Sequence, residues 1–73
     1  MKFKELDKVI LRKEVSYVDD GDEGILAPGT KGVIVHLDVR VPGIAMVEFF
    51  DEDWDTICIE DISFGFLELD ETV

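Results

Sequence analysis

The most obviously reactive side chains are His36 and Cys58, each the only residue of its type in the chain. Placed side by side, they could form a nucleophile and its base. The alternation of apolar and polar residues around them instead predicts outward positions two strands apart, too distant for a direct hydrogen bond. Because a small domain fills its interior with side chains and leaves no large cleft, we predict that the protein is not an enzyme.

Carboxylates are far more abundant, and one cluster of them could hold a cation. Residues 19–24 read DDGDEG, which is similar to the opening of a calcium loop. The Asp-x-Asp-x-Asp-Gly spacing and the bidentate glutamate at the twelfth position are both missing. A solvated loop is the favoured interpretation, with cation binding as the minor alternative. One histidine and one cysteine also fall short of a zinc site, so we predict no metal and no cofactor.

The charge balance indicates which partners are possible. Eighteen acidic residues against seven basic ones give a net charge of −11. Five of the bases lie in residues 1–14, so residues 15–73 carry fifteen acids against two bases, a net charge of −13. Such a surface repels nucleic acid and anionic membranes and attracts a basic protein. Solubility alone is the plainer explanation of the same charge.

Length and composition predict one folded domain over residues 1–73. A hydrophobic fraction of 47% argues against disorder. The start, MKFKE, has no apolar segment typical of a signal peptide, and no apolar run is long enough to span a bilayer. We therefore expect a cytoplasmic protein.

The elements that position the side chains are short strands around a turn at Pro28-Gly29, where glycine can adopt a positive φ. Two strands follow this turn, at residues 33–37 and 44–50, and their alternation predicts a hairpin with one buried face. The predicted inward pairs are Val33 with Phe49, Val35 with Val47, and Leu37 with Ala45.

The hairpin is expected to continue into a third strand at residues 56–60, which gives an antiparallel meander. In it Phe49 would meet Ile57 and Val47 would meet Ile59. A first strand over residues 7–14 and a last strand over 66–69 complete the prediction, with a short 3₁₀ turn within 61–65. The inward residues of these outer strands are Val9, Leu11, Leu67 and Leu69.

Five short strands separated by turn signals predict an all-β fold, a small five-stranded barrel with a central three-stranded antiparallel meander. The order of the elements is that of SH3-like barrels. The motifs Phe3-x-x-Leu6-Asp7-x-Val9-x-Leu11, Gly29-x-x-Gly32 and Val47-Glu48-Phe49-x-Asp51 resemble a family of short, uncharacterised bacterial and archaeal domains with an SH3-like fold. The resemblance covers roughly residues 3–69, and it implies a partner among toxin-like proteins.

The outward positions form the candidate partner-binding surface, an apolar patch with an acidic rim. The alternative is that the amino-terminal segment, with Phe3 and Leu6, folds back and covers this patch as ordinary core. The predicted site residues are Ile34, Met46, Phe50, Asp51, Asp53, Trp54 and Asp55.

We therefore expect a non-enzymatic acidic module that binds and neutralises, or accompanies, a basic protein partner, as an antitoxin or immunity protein does. One alternative is a nucleic-acid mimic that inhibits a nuclease or a defence complex. Another is a structural accessory subunit of a larger assembly. Direct binding of nucleic acid is not expected, because no basic stripe exists beyond residues 2–13. The oligomeric state is not indicated by the sequence.

Overall fold

The computed structural model describes residues 3–71, which form β-strands, turns and a 3₁₀ turn, with no α-helix in that range. None of these elements is a helix with the length and apolarity needed to cross a membrane. The predicted all-β class is confirmed. The strands are β1 (Lys8–Leu11), β2 (Val15–Asp19), β3 (Asp22–Leu26), β4 (Lys31–Leu37), β5 (Ile44–Phe50), β6 (Thr56–Ser63) and β7 (Leu67–Leu69), and the 3₁₀ turn is Phe64–Phe66.

The described strands form two sheets, and no closed barrel is found among them. Five of them lie in one antiparallel sheet in the order β6-β5-β4-β1-β7, while β2 and β3 form a separate hairpin. The meander β4-β5-β6 is present as predicted. The hairpin lies against β6, where the backbone N–H of Val18 donates to the carboxylate of Glu60 at 3.2 Å.

Residues 19–24, predicted as a solvated loop, are instead the tip of the β2–β3 hairpin. Asp20 and Gly21 both take positive φ values, of 53° and 84°, as a two-residue hairpin turn requires. Tyr17 lies across Gly24, and a Cβ at that glycine would collide with the ring. The predicted first strand over 7–14 correspondingly ends at Leu11, because the chain turns into a second strand at Val15.

The predicted pairing of β4 with β5 is right at one end and wrong at the other. Leu37 lies opposite Ala45 as expected, but a bulge at Val35 shifts the rest, so that Ile34 faces Val47. Val35 has no partner on β5. The side chains that precede it on β4 therefore point to the opposite face of the sheet from the one predicted. Val33 and Val35 are consequently only half-buried.

The shift also explains Gly32, which lies opposite Phe49. A Cβ at Gly32 would come within 2.6 Å of Val47 Cγ1 and 3.0 Å of a Phe49 ring carbon. Only glycine leaves room for these two side chains to pack over β4.

The pairing of β5 with β6 differs from the prediction by one residue. Phe49 lies opposite Cys58 and Val47 opposite Glu60, because an irregularity next to the turn leaves Ile57 without a direct partner. Cys58 therefore points into the core, and Ile59, predicted inward, is 48% exposed.

The core is formed mainly by residues of the five-stranded sheet, together with Leu26 of the hairpin and Phe3 of the amino-terminal segment. The inward positions of Val9, Leu11 and Leu67 are confirmed, and Leu69 packs against the same cluster. Phe3 is also buried, with its ring 5.1 Å from that of Phe64. The buried hydrophobic residues are Phe3, Val9, Leu11, Leu26, Ile34, Ala45, Val47, Phe49, Cys58, Ile62 and Leu67.

Candidate protein-interaction site

Ile34, predicted to point outward, is fully buried. Its backbone pairs with the amino-terminal segment: Ile34 N–H donates to the Asp7 carbonyl at 3.0 Å, and Leu6 N–H donates to the Ile34 carbonyl at 2.7 Å. The bulge at Val35 is the reason for the inward facing. Ile34 therefore belongs to the core and is not available to a partner.

Met46 is exposed, as predicted, but it lies apart from the aromatic residues. Its neighbours across the sheet are His36 and Asp61, and it lines a small cavity with Val41 and Ile44. Glu48 stands between Met46 and Phe50 on the outer face of β5, with its carboxylate accepting a hydrogen bond from Thr56. The predicted patch is thus divided into two regions.

The remaining predicted site residues, Phe50 and the acidic turn after it, do lie together. Asp51 organises this turn, because its Oδ1 accepts hydrogen bonds from the backbone N–H groups of Asp53 and Asp55 at 2.9 and 3.0 Å. The backbone closes the same turn through Asp51 N–H to the Asp55 carbonyl at 2.9 Å and Trp54 N–H to the Asp51 carbonyl at 3.0 Å. Asp51 consequently supports the site from within the turn.

Trp54 is the aromatic residue of the turn, and it has an unusual backbone conformation. Its φ is 65°, in the left-handed region that bulky residues rarely adopt. The residue is 62% exposed, and its ring lies 5.9 Å from that of the half-buried Phe50. Because Trp54 is exposed, the alternative that the amino-terminal segment seals the patch is wrong for this residue.

An open groove of about 590 Å³ runs between this turn and the Pro28–Lys31 segment. Gly29 has a φ of 95°, as the predicted turn requires, and Thr30 closes the turn through its hydroxyl to the Ala27 carbonyl at 2.6 Å. A hydrogen-bonded turn therefore forms the wall on each side of the groove. It is lined by Pro28, Gly29, Thr30, Lys31, Phe50, Asp51, Glu52, Trp54 and Ile57.

Lys31 is the one positively charged residue that lines this groove in the described range 3–71. Its Nζ lies 5.8 Å from the centroid of the Trp54 ring and 3.8 Å from Asp70 Oδ2. On the other wall Glu52 lines the groove, and Asp53 and Asp55 belong to the same turn without lining it. All three residues are exposed and form no ion pair within residues 3–71. The site thus combines an accessible aromatic face with negative charges that have no cationic partner there.

The two residues considered for nucleophilic chemistry lie on different faces of the sheet. Cys58 is buried, where the loss of solvent, reinforced by the carboxylates of Glu60 and Asp19, raises the pKa of its thiol to about 11. His36 is exposed, with Nδ1 3.2 Å from Glu5 Oε2. The predicted outward position of Cys58 is wrong, because the β6 register differs by one residue.

The described part of the chain has no group of three or more histidine, cysteine or acidic residues arranged to hold a metal ion. The acids of the 19–23 segment are spread along the two strands and the tip of the hairpin.

A second exposed surface, which the sequence reasoning missed, lies at the opposite end of β5. Val39 is 88% exposed and Val41 46% exposed, and a cavity of about 220 Å³ lies between this loop and Phe64. The loop charges are paired: Arg40 binds Asp38 through two side-chain hydrogen bonds of 3.0 and 3.1 Å, which lower the pKa of that carboxyl. The sequence did contain a signal for this surface, because Val39 and Val41 lie beside the Pro42-Gly43 turn, where no strand can bury them.

Comparisons with protein-family models, with curated proteins and with solved structures found no match for this chain. The function is therefore inferred from the geometry of the two exposed surfaces.

Proposed function

We propose that this chain is a single, non-enzymatic SH3-like domain that binds a basic protein partner through the groove between the Trp54 turn and the Pro28–Lys31 segment. The SH3-like assignment is supported by the order of the elements: a first strand, a hairpin, a three-stranded meander, a 3₁₀ turn and a short last strand. Direct contact with nucleic acid or a membrane is not part of this proposal.

The observation that carries the proposal is the exposed Trp54 ring beside unpaired carboxylates. An exposed tryptophan in contact with a second aromatic ring is typical of the residues that dominate protein interfaces. The Phe50 ring contacts the Trp54 ring, with the two centroids 5.9 Å apart. The backbone holds Trp54 in a conformation for which glycine is the usual residue, which costs on the order of 1–3 kcal/mol. Keeping a bulky ring there is consistent with a binding role.

The charge around the groove supports a basic partner. Residues 15–73 carry a net charge of −13, and a field of this size accelerates encounter with a basic protein at low ionic strength. The same field repels the phosphates of nucleic acids, because the domain surface and the phosphates are both negatively charged. Neutralisation of a basic toxin-like protein, as by an antitoxin or immunity protein, is the role that fits this surface together with the resemblance described above.

The test is capture of the partner from the native host with three bait proteins: the wild type, Trp54→Ala and Val39→Ser. Val39 is a matched control, since it is exposed and lies at the other end of β5. We expect a stoichiometric basic partner with the wild type and Val39→Ser. With Trp54→Ala, affinity should fall about 30-fold, as for the loss of roughly 2 kcal/mol at an interface residue.

The association rate of the captured partner, measured over a range of salt concentrations, should fall as salt rises. Unchanged affinity for Trp54→Ala, or a partner without a basic surface, would contradict the proposal. Competition by a short DNA duplex would favour the nucleic-acid mimic instead. Elution only within a large assembly would favour the accessory-subunit role.

A further inference from the structure

We propose that the groove recognises an arginine side chain of the partner, whose guanidinium stacks on Trp54 in place of the Lys31 ammonium. Lys31 is then an internal competitor that occupies the aromatic face in the free protein. This inference rests on the proposed function, and it names the chemical group that the groove binds.

The contact between Lys31 and Trp54 supports a site that accepts a cation. Its Nζ lies 5.8 Å from the Trp54 centroid, near the outer limit of about 6 Å for a cation–π contact. Its side chain is 48% exposed, and its ion pair with Asp70 spans 3.8 Å. These loose contacts allow the ammonium to move into solvent when a better cation arrives.

A guanidinium fits the free groups of the groove better than an ammonium does. It is planar and weakly hydrated, so it stacks on an indole while its N–H fork binds a carboxylate. Lys31 makes its ion pair with Asp70, whereas Glu52, Asp53 and Asp55 are exposed and form no ion pair within residues 3–71. An arginine entering the groove from solvent would meet the Trp54 ring and the carboxylate of Glu52, which both line it, with Asp53 and Asp55 on the same turn.

The groove is also large enough for more than one side chain. Its volume of about 590 Å³ exceeds that of a guanidinium group and accommodates a short extended peptide segment. The Pro28–Lys31 turn and the Asp51-organised turn, each closed by hydrogen bonds, form its two walls.

The chain contains a matched control for Lys31. Lys13 also lies over an aromatic ring, with its Nζ 5.2 Å from the centroid of Phe66, yet neither residue lines the groove. The substitutions Lys31→Met and Lys13→Met change the net charge equally and each remove one lysine–aromatic contact. Only Lys31→Met removes the ammonium group from the face of the Trp54 ring.

The experiment is a titration followed by the fluorescence of Trp54, the only tryptophan in the chain. The probes are three capped Gly-Xaa-Gly peptides in which Xaa is arginine, lysine or citrulline. We expect the arginine peptide to bind tightest and the uncharged citrulline peptide to give no saturable change. Lys31→Met should raise affinity for the arginine peptide about five-fold, the equivalent of one cation–π contact, and Lys13→Met less than about two-fold.

Three results would overturn the inference: no saturable response to the arginine peptide, a lysine peptide that binds equally well, or equal gains for the two methionine variants, which would indicate net charge alone. Lys31→Gln serves as a second variant if Lys31→Met does not fold. Failure of the peptide titration with a host partner still lost on Trp54→Ala would reject the arginine assignment and keep the proposed function. The expected peptide titration together with no basic partner in the host would reject the proposed function and keep the arginine assignment.

Discussion

The two ends of β5 expose hydrophobic residues in opposite electrostatic settings. At one end Phe50 leads into a turn that presents Trp54 among acids that form no ion pair within residues 3–71. At the other end Ile44 adjoins a loop whose Asp38 and Arg40 neutralise each other. The two ends are separated by about 20 Å of strand. Because both ends expose apolar area, what distinguishes the proposed binding surface is the charge beside that area.

The largest effect should come from the core that both ends share. Phe49 is fully buried on β5, and we expect Phe49→Ala to cost about 3–5 kcal/mol, comparable to the whole stability of roughly 3–5 kcal/mol of a domain this small. Both ends would then be lost together in chemical denaturation. Val39→Ala, at an exposed position, should change stability by less than about 0.5 kcal/mol. A Phe49→Ala variant that unfolds at the same denaturant concentration as the wild type would contradict the role of Phe49 in a core that both ends share.

High pH should also act on both ends through the core. The pKa of the Cys58 thiol is raised from 9.0 to about 11 by burial and by Glu60 and Asp19. Between these values the unfolded chain loses the proton while the folded protein keeps it, so the stabilising contribution is complete below pH 9 and is lost as pH rises to 11. The stability difference between wild type and Cys58→Ala should therefore shrink from pH 8 to pH 11 in urea denaturation. A constant difference would contradict the assigned environment.

At the acidic end, the turn depends on one carboxylate. Asp51→Ala removes the acceptor of two backbone N–H groups, and we expect a loss of about 1–2 kcal/mol. Asp51→Asn keeps an oxygen at that position and should lose less. Equal losses for the two variants, measured by thermal denaturation, would show that the hydrogen bonds are not the cause.

Trp54→Gly separates stability from binding at the same turn. Glycine relieves the positive φ of 65° while removing the contacts with Phe50 and Lys31, so stability should change by less than about 1 kcal/mol. Trp54→Ala keeps the backbone strain and should be less stable than Trp54→Gly. Both variants should lose partner binding equally. Retained binding by either one would remove the ring from the proposed interface.

The smallest effect is expected at the aliphatic end. Val39→Asp adds a charge at a residue that is 88% exposed, and it should alter neither the denaturation midpoint nor the affinity for the captured partner. A large loss of affinity in the same binding assay would transfer the interface from the Trp54 turn to this loop.

Particular elements show how far sequence reasoning reached. Strict alternation in β5 predicted the burial of Ala45, Val47 and Phe49, because an unbroken strand must alternate. The same rule failed for Ile34 and Cys58, since each bulge adds one residue that alternation cannot reveal. The Asp20-Gly21 pair was a hairpin signal that the surrounding acids obscured.

The candidate site was predicted in part for the same reason. Phe50 and the 51–55 turn are adjacent in the sequence, so their proximity followed directly. The opposing wall at Pro28–Lys31 was not predicted, because the contact between Lys31 and Trp54 joins residues far apart in the chain.

The sequence by itself determined the all-β class, the meander and the excess of acids, since these follow from local alternation, turn residues and composition. Only the tertiary structure decided which side chains face outward and which charges find partners. The physical reason is that a bulge reverses the facing of a strand without changing its composition, and ion pairs depend on distances between elements that local sequence does not encode.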